Sequence, residues 1–310
     1  MLRFALIDLE KNEKPIDKVF SAIYNSSANV PADDLTISFL YDKDLIDNAD
    51  MVLAYSDEKL IFKGQIDEII NLFNSDKTIT KIVARSLAAG LLDNEAEPVT
   101  YYNPTADFIF ERHLKPFGIK KYYANHKPFY GSLKIIKGMS HWQVLENFCY
   151  SRFGSFPRIT GDGIAIMEDK DCDNIIFGFE DGCIPFCSFK ENIKRYKLIS
   201  EVKVKLNELG SYEAHITNQN PDCKGIKRLR YVNATADNST LATADKIIEN
   251  GNLQSYCIVL ECLGCYMDLI GAKAEIVDES IGRIDNLVVK EMKYIMGSGG
   301  EFTTVTLGKG

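Results

Sequence analysis

The sequence lacks an excess of basic charge. Its 36 Lys and Arg are outnumbered by 44 Asp and Glu, which gives a net charge of −8. Surfaces that bind nucleic acid neutralise phosphates with Lys and Arg and are usually basic. The overall charge therefore argues against a chain that binds DNA or RNA over much of its surface.

Long apolar runs are also missing. No segment approaches the ~20 consecutive apolar residues that cross a bilayer. The opening segment, MLRFALIDLEKNEK, reaches acidic residues too soon for the apolar part of a secretory signal. We therefore expect no membrane insertion and a chain that stays in the cytoplasm in which it is made.

Common catalytic motifs, tandem repeats and low-complexity linkers are absent as well. The sequence has no Gly-rich phosphate loop, no G-x-S-x-G and no H-E-x-x-H. Its hydrophobic fraction of 45% and charged fraction of 26% are typical of soluble globular proteins. A length of 310 residues predicts two or three modules of ~100 to 150 residues.

The eight cysteines are expected to be reduced thiols, because disulfides are rare in the cytoplasm. Cys262 and Cys265 form a C-x-x-C, and Cys183 and Cys187 form a C-x-x-x-C, so a four-thiolate zinc site is arithmetically conceivable. The two pairs lie about 75 residues apart, and short motifs transfer poorly without context. We favour buried structural cysteines and no metal. The others are Cys149, Cys172, Cys223 and Cys257.

The histidines form no obvious catalytic or metal-ligating group. His141 and Cys149 are eight residues apart on a predicted helix, a spacing that can share a face but does not bring side chains into contact. His113, His126 and His215 have no ligand-spaced partners, so we interpret them as ordinary exposed or core residues.

Two carboxylate clusters keep an enzymatic alternative open. A glycosidase needs two carboxyl groups ~5 to 9 Å apart, one of them in an apolar setting that raises its pKa. We favour a structural role for the first cluster, because loop carboxylates commonly bind backbone amides, and a polar flank of a hairpin for the second. The clusters are Asp93, Glu95 and Glu97, and Glu168, Asp169, Asp171 and Asp173.

A local basic run contrasts with the acidic whole. It could contact nucleic acid, but a solvated strand edge or a surface that meets acidic groups of a partner is favoured. The run contains Lys224, Lys227, Arg228 and Arg230.

Hydrophobic residues at every second position predict strands at both ends of the chain. Examples are Leu35, Ile37, Phe39 and Tyr41 near the start, and Val202, Val204 and Leu206 later. Further strands are predicted at YCIVLEC, AKAEIV, NLVVKEM and EFTTVTL. Residues 16–24 fit either a helix or a strand.

Three helices are predicted from their end signals. The first is capped by Asn103 before Pro104 and stops at Gly118. The second starts at Ser140, in a capping box with Gln143, and stops at Gly154; a hairpin that turns at residues 161–163 follows. The third spans residues 240–250, with Leu241, Ala244, Ile247 and Ile248 inward and Gly251 as its stop.

Several of these segments occur together in one known family. The sequence resembles the PBSX-type branch of contractile-phage baseplate hub proteins, related to the late control protein D family, and the resemblance favours strands over residues 16–24. An "ARS…LLDNEA…P…Y" stretch carries it at Ala84, Arg85, Ser86, Leu91, Leu92, Asp93, Asn94, Glu95, Ala96, Pro98 and Tyr101. A helix start and a closing run also carry it, at Ser140, Trp142, Val144, Leu145, Gly271, Val277, Gly282, Val289, Thr303, Thr304 and Leu307.

The resemblance implies a mainly β, α+β fold in which residues 1–95 and 196–310 form two tube-type β-barrels, the second with one helix, and residues 96–195 form an inserted α/β domain. It implies a structural hub without enzymatic activity or cofactor, which forms a homotrimer between a hexameric tail tube and a trimeric central spike. Other baseplate and LysM-type tail proteins, and conceivably the tape measure protein, would be further partners, and DNA would only pass through.

The same resemblance implies assembly in the bacterial cytoplasm and a final place in the baseplate of a phage or a tail-like bacteriocin. The alternatives are a tail-associated peptidoglycan hydrolase and an unrelated carbohydrate-binding β-scaffold.

Overall fold

A computed structural model describes residues 2–28, 30–75, 77–125, 130–168, 174–205, 211–233 and 240–310. Strands hold 52% of the residues and helices 18%, which confirms the predicted mainly β fold class. The chain packs into two compact units. The first comprises Met1–Asp173, Leu263–Gly271 and Lys290–Thr304, and the second comprises Asn174–Cys262, Ala272–Val289 and Val305–Gly310. The three predicted domains, with boundaries at residues 95 and 195, stay a prediction.

The first unit opens with an antiparallel sheet in the order β2-β1-β5-β6-β7-β4-β3. A short helix, α1 (Lys43–Ile46), follows the fourth strand. The ambiguous residues 16–24 fall in strands, as the resemblance favours. The strands are β1 (Leu2–Asp8), β2 (Glu13–Ile16), β3 (Val19–Ser27), β4 (Val30–Leu40), β5 (Ala49–Ser56), β6 (Lys59–Phe73) and β7 (Thr78–Ser86).

Alternation along these strands builds the core of the sheet. Leu35, Ile37 and Phe39 are buried on one face of β4, and Ile82 and Ala84 of the neighbouring β7 are buried with them. Successive side chains of a strand point to opposite faces, so the predicted period of two selects the buried face. Each fully buried Leu, Ile or Phe side chain stabilises the fold by about 1.5 to 3 kcal/mol.

The mixed α/β segment of the first unit has its own core, which 19 buried residues between Leu87 and Met167 form. Five short strands surround its helices. The elements are α2 (Ala88–Asp93), β8 (Thr100–Tyr102), α3 (Ala106–Ile109), β9 (Lys121–Tyr123), β10 (Ser132–Lys134), α4 (His141–Phe153), β11 (Arg158–Ile159) and β12 (Ile164–Ile166).

The end signals of α4 are confirmed and one of α3 is wrong. Ser140 and Gln143 form the predicted capping box, and Gly154 ends α4 with φ +71°. The cap of α3 is Thr105, whose hydroxyl accepts the backbone N–H of Phe108, rather than Asn103. Asn103 instead has φ +50° and accepts the backbone N–H of another loop residue, so its amide side chain is used in a turn.

The segment after α3 changes its helical pitch before it stops. A π-helical turn at Phe110–Leu114 and a 3₁₀ turn at Lys115–Phe117 lead to Gly118, whose φ of +83° ends the helix where the sequence predicts. The predicted hairpin after α4 is also confirmed, since β11 and β12 pair in antiparallel fashion. Its Gly161 touches β6: the Gly161 carbonyl accepts the Lys63 N–H at 2.7 Å, and a Cβ at Gly161 would lie 2.0 Å from the Ile61 carbonyl oxygen.

The second unit contains a small three-stranded sheet in the order β16-β15-β17, covered on one face by a helix. Short 3₁₀ turns occur at Arg195–Lys197 and Pro221–Cys223. The elements are β13 (Asn174–Gly178), β14 (Ser188–Ile193), β15 (Glu201–Lys205), β16 (Tyr212–Thr217), β17 (Leu229–Val232), α5 (Thr240–Gln254), β18 (Tyr256–Leu263) and β19 (Lys273–Asp278).

The predicted end of α5 is wrong. Gly251 lies inside the helix, which continues to Gln254. A Cβ at Gly251 would lie 3.0 Å from the Lys197 carbonyl oxygen, so glycine serves close packing at this position. The predicted inward residues Ala244 and Ile248 are buried and Ile247 packs against the same core, whereas Leu206 and the side chain of Leu241 lie outside the described part of the chain.

Two long closing strands, β20 (Gly282–Gly297) and β21 (Gly300–Lys309), contribute residues to both units. In the second unit β20 pairs with β19, and in the first unit residues 291–296 pair with β3. All four strands predicted between residues 256 and 307 are confirmed. The antiparallel pairing of β20 with β3, some 270 residues away, is a long-range contact that no local pattern predicts.

Candidate functional site

The first carboxylate cluster is tied into ion pairs and backbone hydrogen bonds. Arg85 on β7 donates to Asp67 at 2.6 Å and to Asp93 at 2.7 Å. Hydrogen bonds from Arg85 lower the pKa of Asp93, the opposite of what a general acid requires. Glu95 accepts the backbone N–H of Gly138 at 2.5 Å, in the structural manner that the sequence predicts for this cluster.

Other predicted carboxylates are similarly engaged. Glu97 pairs with Arg112 at 2.9 Å, and Glu168 accepts the backbone N–H of Asn125 at 2.7 Å. Asp169, Asp171, Asp173 and Cys172 lie outside the described residues. Burial raises the pKa of Asp33 on β4, whose side chain accepts the Tyr24 hydroxyl at 2.7 Å.

Two histidines that sequence reasoning treated separately are in contact. His113 and His141 approach Nδ1 to Nδ1 at 2.9 Å, and the Tyr101 hydroxyl lies 3.3 Å from His113 Nε2. One Nδ1 must donate its proton and the other must accept it, so at least one of the two rings must be neutral. Burial, with the nearby His141 and Arg112, lowers the pKa of His113 to about 4. Their separation of 28 residues gave no local signal.

The weighed His141–Cys149 dyad does not form, because His141 contacts His113 while Cys149 is buried in the α4 core. Burial raises the pKa of the Cys149 thiol, which makes it a poor nucleophile. His215 pairs with Glu201 at 2.9 Å, and His126 lies outside the described residues.

The cysteine pairs considered for zinc are free thiols, of which Cys262 is buried and Cys187 is exposed. Burial raises the pKa of Cys262 to about 12 and that of Cys265 to about 11, which disfavours the thiolate that zinc needs. Across the described ranges, no group of three or more His, Cys, Asp or Glu side chains is placed to hold a metal ion.

An apolar cluster lies at one end of the first sheet. Leu40 and Leu72 are 51% and 50% exposed and lie in one row across the sheet, since both pair with Ile79 of the intervening β7. Phe73 is 67% exposed, and its ring is 5.3 Å from that of Tyr41. Exposed groups of large apolar side chains mark interaction surfaces. We call Leu40, Tyr41, Leu72 and Phe73 the strand-end cluster.

The predicted basic run surrounds the start of β17. Arg228 donates to the Arg195 carbonyl at 2.7 Å, and Arg195 donates to the Lys224 carbonyl at 3.1 Å. These bonds hold the loop before β17, and no carboxylate of the described residues forms an ion pair with either guanidinium group. Lys227 and Arg230 are exposed beside them.

None of the helices that the structure describes is long enough and apolar enough to cross a membrane. The geometry thus presents surfaces for contact: an exposed apolar strand end in the first unit and a basic strand edge in the second.

No family model and no curated protein sequence matches the chain. Solved structures do. A tail protein from Neisseria meningitidis is 17% identical with a TM-score of 0.76, over 99% of this chain and 96% of that one. The 43 kDa tail protein of prophage MuSo2 from Shewanella oneidensis is 13% identical with a TM-score of 0.79, over 100% and 98%.

A third neighbour, the E. coli c3393 protein, is described as a type VI secretion component similar to the T4 tail proteins gp27 and gp5. It is 11% identical with a TM-score of 0.52, over 99% of this chain and 76% of that one. At these identities the likeness shows the fold. The predicted resemblance to phage tail and baseplate proteins is therefore confirmed at the level of the fold.

Proposed function

We propose that this chain is a structural subunit of a phage tail or a tail-like particle, and specifically its baseplate hub. One observation carries the proposal: the fold of two phage tail proteins matches over the whole chain, at 99% and 100% coverage. A match of this extent involves the first sheet, the α/β segment and the closing strands together. It is therefore more informative than a shared β-module, which many unrelated functions use.

In the proposed assembly three copies form a ring that adapts a six-fold tail tube to a three-fold central spike. A trimer presents six similar edges when each copy supplies two barrels, which is how one chain can satisfy both symmetries. The strand-end cluster supports this role, because such an apolar surface is suited to contact with another subunit. Three copies at −8 each carry −24, so the lumen is proposed to be acidic and to let DNA pass without binding.

The proposed partners are the tail tube protein, the central spike and other baseplate proteins, including LysM-type ones. The proposed location is the baseplate of the particle, after assembly in the bacterial cytoplasm. The proposed role is non-enzymatic. The hydrolase alternative would need Asp93 and Glu95 for catalysis, but Arg85 holds Asp93 and a backbone amide holds Glu95.

The test combines mass and location. Light scattering on the purified chain of 34.9 kDa is expected to give a trimer, and electron microscopy of particles labelled on this chain is expected to show label only at the spike end of the tail. A monomer, or label along the tail shaft, would contradict the hub. Clearing of cell walls that disappears in Asp93→Ala or Glu95→Ala would favour the hydrolase instead.

A further inference from the structure

The charge of this chain is unevenly distributed. Residues 194–233 contain nine Lys and Arg and four Asp and Glu, a net charge of +5, so the remainder of the chain carries −13. A basic segment in an otherwise acidic protein is a local feature that the overall net charge does not explain. It coincides with the small sheet of β15, β16 and β17.

Among the described residues, one face of this sheet packs against α5, and the side chains of the opposite face are half-buried or exposed. Val202 and Val204 on β15 are buried against α5. Lys203 and Lys205 alternate with them and lie on the opposite face, where Lys203 pairs in register with His215 of β16 and Tyr231 of β17. The side chains named on the open face are therefore basic and aromatic, and Glu201 lies beside them, paired with His215.

The two tyrosine rings of this face contact each other, and one of them is largely exposed. Tyr231 is 58% exposed, and its ring lies 4.8 Å from that of Tyr212. Tyrosine is enriched among the residues that dominate the energetics of protein interfaces, because it buries a large area at small entropic cost. We call Lys203, Lys205, Tyr212, His215 and Tyr231 the basic sheet face.

The cations around this face have few internal partners. Within the described ranges, Lys203, Lys205, Lys224 and Lys227 have no carboxylate within 4.0 Å, and the ion pair on the face joins His215 to Glu201. Neighbouring lysines without counter-charges repel one another, so an acidic partner would gain interaction energy on contact.

The same chain carries an acidic surface of equal and opposite charge. Residues 8–17 and 42–50 hold eight Asp and Glu and three Lys, a net charge of −5. The two segments are adjacent, since the Leu9 N–H donates to the Asn48 carbonyl at 3.0 Å and Lys14 donates to the Asp44 carbonyl at 3.1 Å. Glu10, Asp44 and Asp47 are exposed.

We propose that the basic sheet face of one copy binds the acidic surface, residues 8–17 and 42–50, of a second copy. Because the two surfaces differ, the contact is head-to-tail, and a head-to-tail contact closes into a ring when its rotation is right. Complementary charge fixes the register of such a contact and suppresses wrong ones. This inference rests on the proposed trimer and adds the side chains that hold it.

The test is a charge swap on the full chain, with the trimer measured by light scattering over a range of concentrations. K203E/K205E reverses the basic sheet face and E10K/D44K reverses the acidic surface. Each is expected to raise the concentration needed for the trimer at least about tenfold, because like charges then meet across the contact. The four substitutions together restore opposite charges and are expected to bring the trimer back to within a few fold of the original.

The matched control is K134E/K137E, the same change of charge on exposed lysines of the α/β segment, which is expected to leave the trimer intact. Trimer formation should also weaken from about 0.1 M to 1 M salt, as the Debye length falls from about 10 to 3 Å. Circular dichroism verifies that each variant is folded. Recovery of the trimer in the variant with all four substitutions would show that charge, and not a loss of stability, causes the effect of each pair.

The outcomes separate this inference from the proposed function. If neither charge reversal changes the trimer, the charged contact is wrong and the proposed hub is unaffected. If the original chain is monomeric, the charged contact and the proposed hub are both contradicted. Binding of a labelled single-stranded oligonucleotide that K203E/K205E abolishes, with the trimer unchanged, would make the basic sheet face a nucleic-acid surface and overturn the inference.

Discussion

The α/β segment of the first unit and the small sheet of the second unit use their residues differently. The segment between Leu87 and Met167 buries 19 side chains around α4. Among the described side chains, the small sheet and α5 bury four, Val202, Val204, Ala244 and Ile248, with five more packed partly against them. Yet the small sheet carries the uneven charge and the exposed tyrosines, while the α/β segment carries a buried histidine pair.

From this contrast we expect that the α/β segment contributes more to stability and that the small sheet is the better placed for contact with a partner. A side chain in a large, well-filled core is costly to remove, because the neighbours cannot collapse into the space. A small core covered on one face by a single helix can adjust more readily, and its open face remains available for contact. We expect substitutions to separate the two regions by size of effect.

The largest expected effect is in the α/β segment. Phe148→Ala deletes a fully buried ring on α4 and should lower the free energy of unfolding by about 3 to 5 kcal/mol. Urea titration followed by circular dichroism measures it. Phe156→Ala, at a ring that is 65% exposed, is the control and should change stability little. Equal effects of the two would mean that α4 does not anchor the core.

The histidine pair should make the α/β segment sensitive to acid. The pKa of His113 is about 4 in the folded protein, below its ordinary value of 6.5. As the pH falls from 6.5 to 4, the unfolded chain therefore binds a proton at His113 more readily than the folded protein does, and the free energy of unfolding decreases. The loss should approach about 3 kcal/mol. Urea titrations at several pH values should show a shallower dependence on pH in His113→Asn than in the original chain, and identical slopes would refute the role.

The contact between the hairpin and β6 should be sensitive to a single methyl group. Gly161→Ala places a Cβ against the Ile61 carbonyl oxygen and should destabilise by about 1 to 3 kcal/mol, as overpacking does. Thermal unfolding provides the measurement. Gly297→Ala, with open space around its Cβ position, should stay within about 0.5 kcal/mol. A neutral Gly161→Ala would show that the hairpin moves away from β6 at little cost.

The smallest effect compares the two cores directly. Ile109→Val and Ile248→Val remove the same methylene, with an expected cost of about 0.5 to 1.5 kcal/mol each. Ile109 is fully buried in the α/β segment and should lie at the upper end, while Ile248 in the small core should lie at the lower end. Urea titration of both variants tests the order, and a larger loss for Ile248→Val would reverse the comparison drawn here.

Local signals predicted local structure well. The capping box of Ser140 and Gln143, the stop at Gly154 and the alternation of Val202 and Val204 needed only neighbours in sequence, because their hydrogen bonds and faces are set within a turn or a strand. The same reasoning failed at Gly251. A glycine is a helix stop only if the chain turns there, and at this position the close approach of Lys197 explains the residue instead.

The candidate surfaces were predicted in part. The basic run around Arg228 was visible as a cluster in sequence, but its relation to Lys203 and Tyr231 depends on the pairing of β15 with β17. The His113–His141 contact and the strand-end cluster were not predicted, because each joins side chains from segments that are far apart in sequence.

The sequence by itself determined that this chain is mainly β, where several of its strands and the caps of α4 lie, and that its fold resembles that of phage tail proteins, since these depend on periodicity and on the order of local motifs. Only the tertiary structure decided that β20 pairs with β3, that two histidines distant in sequence form a hydrogen bond, and that lysines and tyrosines lie on one open face. Such pairings follow from strand register and packing across long loops, which residue order does not specify.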